Sequence, residues 1–252
     1  MNTIFLSADG IFHTIEGEGI SIGKPAVFMR LAMCNLTCKG WATPENPNGC
    51  DTADSWRVKR KFSFAELATE LLIGGFAEKI ARGDLWKITG GEPMLQQKAL
   101  LEFLQTILIR FPGNLTEHLE IETNATVVPL PGWNEFAPMF VCSPKLENNG
   151  DPEEKRYNRA ALEWHAANAA ERRRSVFKFV ITGDAERDLK EIRSKYVDLL
   201  GIPPGSVWLM PECATREQQN ERAPRVAEIC KAAGFNFSPR LQILIWNQTT
   251  GV

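Results

Sequence analysis

Seven short apolar runs, spaced so that helices fit between them, constrain this chain more than any single motif. They are AVFMRLA (26–32), LWKITGG (85–91), HLEIETN (118–124), MFVCSPK (139–145), SVFKFVI (175–181), SVWLMPE (206–212) and LQILIW (241–246). Short, nearly continuous apolar runs read as strands buried on both faces, the pattern of parallel sheets. The intervening segments carry helical signals. Ser63 and Glu66 make a capping-box pattern before FAELATELL. QKALLEFLQTILIRF (97–111) repeats apolar residues at helical spacing, and AERDLKEIRSKYVDLLG ends on a glycine suited to a C-cap. Thr215 and Gln218 open a further helix running to about Gly234.

Strand, helix, strand, repeated about six times, means a parallel sheet, either doubly wound or a full or partial (β/α) barrel. Both folds place their sites at the C-terminal ends of strands. The chemistry-bearing residues of this chain stand there: Thr89-Gly90-Gly91-Glu92, Glu122-Thr123-Asn124, Ser143-Pro144-Lys145 and Met210-Pro211-Glu212.

The 252 residues suit one large α/β domain or two small ones. A formal net charge of −2 argues against a nucleic-acid or anionic-membrane surface. No apolar run approaches the roughly 20 residues of a membrane helix, and the N-terminus lacks a secretory pattern. Six cysteines are too few for a disulfide scaffold, so a reducing cytoplasm is expected. Residues 147–173 are a charged interlude that reads as a solvated crossover helix with a polar loop. His165 is expected at the surface there, and no domain boundary is expected.

Half of the cysteines lie in CNLTCKGWATPENPNGC, residues 34–50. Three thiolates with a fourth ligand hold zinc. Three alone hold a [4Fe–4S] cluster with one iron left open. Zinc spacing usually brings a second pair of ligands, and none follows here. Cys142, Cys213 and Cys230 stand alone, and Cys142 sits in an apolar run as a small core residue would. The long gap before Cys50 is no obstacle. Lengthening a closed loop from two residues to eleven costs roughly 1.5 kcal/mol, against ligation energies on the order of 10 kcal/mol. KGWATPENPNG therefore reads as an ordered spacer that supplies no ligand. From the residues alone, an iron–sulfur cluster, zinc and no metal all remain open.

TIEGEG, GKPAVFMRLAMCNLTC, CDT, KITGGEPMLQ, IETNAT, VCSPKL, FKFV, WLMPE and RLQILIWN occur in one order. Together they resemble the 7-carboxy-7-deazaguanine synthases, radical S-adenosylmethionine enzymes of deazapurine (queuosine precursor) biosynthesis. The likeness runs from about residue 11 to about residue 247 and leaves the 147–173 insert outside. It implies one radical-enzyme domain over 1–252, folded as a partial (β/α) barrel of parallel strands, open on one side.

It also implies roles. Cys34, Cys38 and Cys50 would hold the cluster, although the family's C-x₃-C-x₂-C is here enlarged by nine residues before Cys50. Thr52 would place its hydroxyl on Mg²⁺, where the residue alone reads as a cap or turn. Gly49, Asp51, Gly91, Glu92, Ser143, Pro144 and Lys145 would contact S-adenosylmethionine. In isolation Gly91 and Glu92 would be a strand-ending turn with a surface carboxylate. Ile15, Glu16, Gly17, Glu18, Arg30 and Thr89 would bind substrate. An arginine in an apolar strand needs a partner: a substrate carboxylate would serve, or an internal salt bridge. Glu16 stands where many relatives carry Gln, and Ala125 where they carry Gly.

The implied reaction converts 6-carboxy-5,6,7,8-tetrahydropterin to 7-carboxy-7-deazaguanine with loss of ammonia. A 5′-deoxyadenosyl radical abstracts hydrogen, and a flavodoxin-like protein supplies the electron. A cytoplasmic homodimer is implied too. The rivals are a radical activase acting on a glycine of a partner protein and a non-catalytic zinc-binding protein.

Overall fold

The computed structural model describes residues 2–44, 46–110 and 115–249. Nine strands form one sheet: β1 (Thr3–Ile15), β2 (Pro25–Leu31), β3 (Arg60–Ser63), β4 (Leu85–Gly90), β5 (Leu119–Thr123), β6 (Met139–Cys142), β7 (Ser175–Ile181), β8 (Val207–Pro211) and β9 (Asn236–Phe237). Their order is β3-β1-β2-β4-β5-β6-β7-β8-β9. Every pairing from β2 to β9 is parallel. Among the described residues the end strands β3 and β9 do not pair, so the barrel is partial and open, as the resemblance implies.

The expected helices form where their signals stand. Ser63 caps Phe64–Ile73: Glu66 N donates to Ser63 Oγ at 3.2 Å and Ser63 N to Glu66 Oε2 at 2.7 Å. The helix expected over 97–111 is Gln97–Arg110, and Phe111 lies outside the described residues. Thr215 caps Arg216–Ala233, which ends on Gly234 at φ 71°.

Alternation along each strand sorts the residues by face. Val27, Met29, Leu31, Trp86, Ile88, Ile121, Phe177 and Phe179 join Phe103, Leu104 and Ile107 of the Gln97–Arg110 helix in the main core. The opposite face presents Arg30, Lys87, Thr89, Glu120, Glu122 and Lys178.

Three expectations are corrected. LQILIW is not a strand but a helix, Leu241–Trp246. A short apolar run does not distinguish the two by periodicity, and here only Ile243 is buried while Ile245 is exposed. The sheet also carries antiparallel strands, because β1 pairs with β2 and with β3 in that sense. Finally, 147–173 is not a solvated crossover. Asn149, Arg156 and His165 are all buried. His165 packs on Phe140 at 5.0 Å between ring centroids, with Nδ1 3.3 Å from Ser175 Oγ. Burial pushes its pKa down to about 3, so the ring is neutral.

Candidate active site

The cysteine loop leaves β2 through Met33, a non-glycine residue at φ 73°. Two contacts hold that exit to the end of β4. Gly91 N donates to Leu31 O at 3.1 Å, and Glu92 N to Met33 O at 2.7 Å. A Cβ on Gly91 would run into the Met33 carbonyl and Cys34 Cβ. The residue is therefore glycine because the cysteine loop lies against it. Gly49 does the same at the far end of the loop: at φ 74°, a Cβ there would run into the Cys38 carbonyl. The two glycines draw Cys34, Cys38 and Cys50 together despite the eleven intervening residues Lys39–Gly49.

Burial pushes the Cys34 thiol up to about 12, and Glu92, Cys38 and Cys50 add to the rise. Burial likewise pushes Cys38 up to about 11, opposed by Lys145. A bound cation would be needed to hold these groups as thiolates. Among the described residues, no three Cys, His, Asp or Glu side chains converge on the position of a single ion.

Glu92 is fully buried, not the surface carboxylate it would be in isolation. Its Oε1 accepts from Met94 N at 2.9 Å and Thr123 Oγ1 at 2.7 Å, and its Oε2 from Asn124 N at 2.6 Å. Burial outweighs those bonds and raises its pKa to about 7. Lys145 donates to Ser143 Oγ at 2.8 Å and lies 5.4 Å above the Trp41 ring. Its charge reaches both Cys38 and Glu92. Thr52 begins the Ala53–Trp56 helix but makes no capping bond, and its Oγ1 faces Cys50 Sγ at 3.5 Å. Thus the thiols, Gly91, Glu92, Ser143-Pro144-Lys145 and Thr52 share one rim of the sheet.

Below that rim the inner face is a buried ionic network. Lys87 Nζ touches Glu16 Oε2 at 2.9 Å, Glu122 Oε2 at 3.5 Å and Glu120. Lys178 Nζ bridges Glu18 Oε2 at 2.6 Å and Glu122 Oε1 at 2.7 Å. Glu18 Oε1 also accepts from Arg240 Nε at 3.0 Å and Gln242 Nε2 at 2.7 Å. Burial would raise Glu18 and Glu122, but the cations override it: Lys178 and Arg240 hold Glu18 low, and Lys178 and Lys87 hold Glu122 at about 2. At Glu16 burial wins over Lys87, and the carboxyl lies above its usual range.

Gly17 has no room for a Cβ because Gln242 fills that space, and Gly17 O accepts from Leu241 N at 2.9 Å. Ile15 ends β1 opposite Pro25. Thr89 pairs in register with Arg30, yet Arg30 turns its Nε to Asp9 Oδ2 at 3.0 Å and stacks over Phe12 at 5.5 Å. The internal salt bridge is thus formed in this structure. Asp51 pairs with Arg240.

Lys87, Glu120 and Lys178 were legible as ionisable residues at alternate positions of buried strands, a pattern that sequence reading passed over. Gln242 is hidden by reading 241–246 as a strand, and Arg240 stands just before that run. Asn149 and Asp151 were hidden by reading their segment as solvated. Asp151 in fact accepts from Thr37 N and Cys38 N, both at 2.9 Å.

Fold and site together define the class: an open (β/α) barrel with a three-thiol loop and a buried ionic face at one rim. No protein-family model matches the chain. It is 31% identical over 243 residues to the 7-carboxy-7-deazaguanine synthase of Pyrobaculum aerophilum, covering 96% of this chain and 95% of that protein. It is also 31% identical over 255 residues to that of Hyperthermus butylicus, covering 97% and 94%. The chain belongs to the 7-carboxy-7-deazaguanine synthase family. The crystal structure of QueE from Escherichia coli shares the fold with a TM-score of 0.61 at 20% identity, over 95% of this chain and 94% of that one.

Proposed function

We propose that this protein is a radical S-adenosylmethionine carbon–nitrogen lyase that converts 6-carboxy-5,6,7,8-tetrahydropterin to 7-carboxy-7-deazaguanine and ammonia. One observation carries the reading: the cysteine loop, Glu92 and Lys145 meet at the rim directly above a buried polar face, in a chain with full-length synthase relatives. The relatives' shared name favours it over a protein-directed activase and over a zinc-binding protein.

The donor set fits a [4Fe–4S] cluster. The thiols of buried Cys38 and half-buried Cys34 and Cys50 are mutual electrostatic neighbours, and among the described residues they do not converge on one ion. A cluster with S-adenosylmethionine supplies the hydrogen-abstracting radical chemistry when bound. The chain's own residues bind, orient and exclude water. Cys34, Cys38 and Cys50 hold the irons, and Thr52 is available to Mg²⁺ through an oxygen, as that ion prefers. Among the described residues Glu92 Oε2 receives a single donor, so it can accept from an ammonium. Gly91 and Gly49 keep the cysteine loop against the strand ends, while Asp51, Ser143, Pro144 and Lys145 border the same rim. Glu16 and Glu18 present carboxylates suited to the N–H edge of an aminopyrimidine ring. Ile15 and Gly17 offer backbone, and Thr89 stands beside Arg30. Arg30 would leave Asp9, which is half-exposed, for the substrate carboxylate, whose planar geometry its fork matches.

The reading carries with it a flavodoxin-like electron donor, a homodimer and a cytoplasmic location. Among the described residues no helix is long and apolar enough to cross a membrane. The test is anaerobic turnover of reconstituted protein with the carboxypterin, S-adenosylmethionine and reductant. Formation of 7-carboxy-7-deazaguanine is expected. A cluster-loaded protein that cleaves S-adenosylmethionine yet leaves the carboxypterin unchanged would overturn the substrate assignment.

A further inference from the structure

Each sulfur of the cysteine loop has one N–H aimed at it. Leu36 N lies 3.5 Å from Cys34 Sγ, Asn149 Nδ2 3.6 Å from Cys38 Sγ, and Trp56 Nε1 3.4 Å from Cys50 Sγ. The donors come from three places: the loop backbone, the turn after β6 and the short helix after Cys50. The two side chains are held by other bonds. Asn149 is buried, donates to Asp151 Oδ2 at 2.9 Å and accepts from Asp151 N at 3.0 Å. Asp151 in turn takes the Cys38 N–H, which fixes that residue in its left-handed conformation at φ 52°. The Trp56 carbonyl accepts from Met33 N at 3.0 Å, so the residue that faces Cys50 also ties down the entry to Cys34.

We propose that Trp56 and Asn149 are positioning residues for the redox cofactor, whose side-chain N–H groups set the reduction potential of a cluster held by Cys34, Cys38 and Cys50. This rests on the iron–sulfur reading above. The physical reason is charge. A one-electron reduction adds negative charge that the ligand sulfurs share, and an N–H donor stabilises a charged acceptor more than a neutral one. Hydrogen bonds to sulfur are among the levers by which proteins place cluster potentials. Removing a donor should make the cluster harder to reduce.

The test compares reconstituted unaltered protein with Trp56→Phe, Asn149→Leu and Trp41→Phe, by iron content and by redox titration monitored through the cluster's paramagnetic signal. Trp56→Phe keeps an aromatic ring and removes only the donor. Trp41→Phe is the control, because that indole N–H goes to Asn148 Oδ1 at 2.9 Å and not to sulfur. The reduction equilibrium of Trp56→Phe should fall about tenfold, which lowers the midpoint by about 59 mV for one electron. Asn149→Leu should fall in the same direction, and where that variant does not fold Trp56→Phe decides alone. A fully loaded Trp56→Phe with an unchanged midpoint overturns the proposal, and so does an equal shift in Trp41→Phe. Loss of all iron from folded Trp56→Phe overturns it too, by making Trp56 a holder of the loop. Unaltered protein that takes up no iron defeats the cluster reading itself, a result distinct from a loaded cluster indifferent to Trp56.

Discussion

Lys87→Met tests whether the inner face is a dry ionic network. Lys87 is 1% exposed and holds Glu16, Glu120 and Glu122. Methionine keeps an unbranched stem and removes the charge. Removing one partner of a buried ion pair costs about 3–5 kcal/mol, because the other charge stays buried and uncompensated. Glu122 keeps Lys178 at 2.7 Å, and Ser21 Oγ still donates to Glu120 Oε2 at 2.7 Å. The expected loss at pH 8 is therefore about 4 kcal/mol. It should shrink on acidification. Lys87 is the main charge holding the raised pKa of Glu16 down, so without it the folded-state value rises further above the unfolded value of about 4.3. The folded variant then binds more protons than the unfolded chain, so its stability recovers as pH falls from 8 toward 5. The unaltered protein lacks most of that recovery, and the gap narrows. Urea unfolding of both proteins at pH 8 and pH 5, followed by tryptophan fluorescence, measures it. An equal deficit at both pH values would refute the electrostatic reasoning, and a deficit below about 1 kcal/mol would mean that water reaches the network.

Three further outcomes are expected. Alanine at Cys34, Cys38 or Cys50 should abolish iron uptake, whereas alanine at Cys142, Cys213 or Cys230 should leave it intact. Cys142 is enclosed in β6, and the Sγ atoms of Cys213 and Cys230 donate to Gln219 Oε1 and Asn236 O; iron per folded chain is the measurement. Shortening Lys39–Gly49 to two residues should also abolish uptake, contrary to its reading as a mere spacer. Gly40 packs on Asn148–Gly150, and Trp41 bonds Asn148 and covers Lys145, so full iron in the shortened protein would show those contacts to be dispensable. His165→Leu should flatten the acid side of the stability curve. With its folded pKa held at about 3, the buried ring's contribution is complete above the unfolded value of about 6.5 and is lost as pH falls through 6.5 toward 3. That loss runs at up to about 1.4 kcal/mol per pH unit, and an unchanged slope between pH 6.5 and 5 in thermal melts would rule it out.

The parallel strands were readable because burial on both faces forces continuous apolar runs, and SVFKFVI matches β7 residue for residue. The antiparallel strand β1 was not readable, since TIFLSADGIFHTI mixes polar and apolar residues as a partly exposed strand does. The rim was legible at Gly91, Glu92, Ser143 and Lys145 because fold class places chemistry at strand ends. What was not legible is which residues meet from far apart in sequence. Nothing local marks Asn149 as a neighbour of Cys38, or Asp9 as the partner of Arg30. Nor does the sequence mark Ala125, whose φ of 59° lies in the left-handed region that favours glycine.

The lacing of Arg240 and Gln242 onto Glu18 spans 222 and 224 residues. It gives this protein a strict order of completion during synthesis. When the first motif leaves the ribosome, its carboxylate has neither Lys178 nor Arg240 to neutralise it. The strands can pair one after another as they emerge, but the inner face closes only after the penultimate helical turn of the described chain is made. A nascent product halted before Arg240 would carry all three cysteines above an unfinished ionic face. Chain completion thus separates thiol availability from a closed inner face, and an early stop near the end is expected to spare metal uptake more than catalysis.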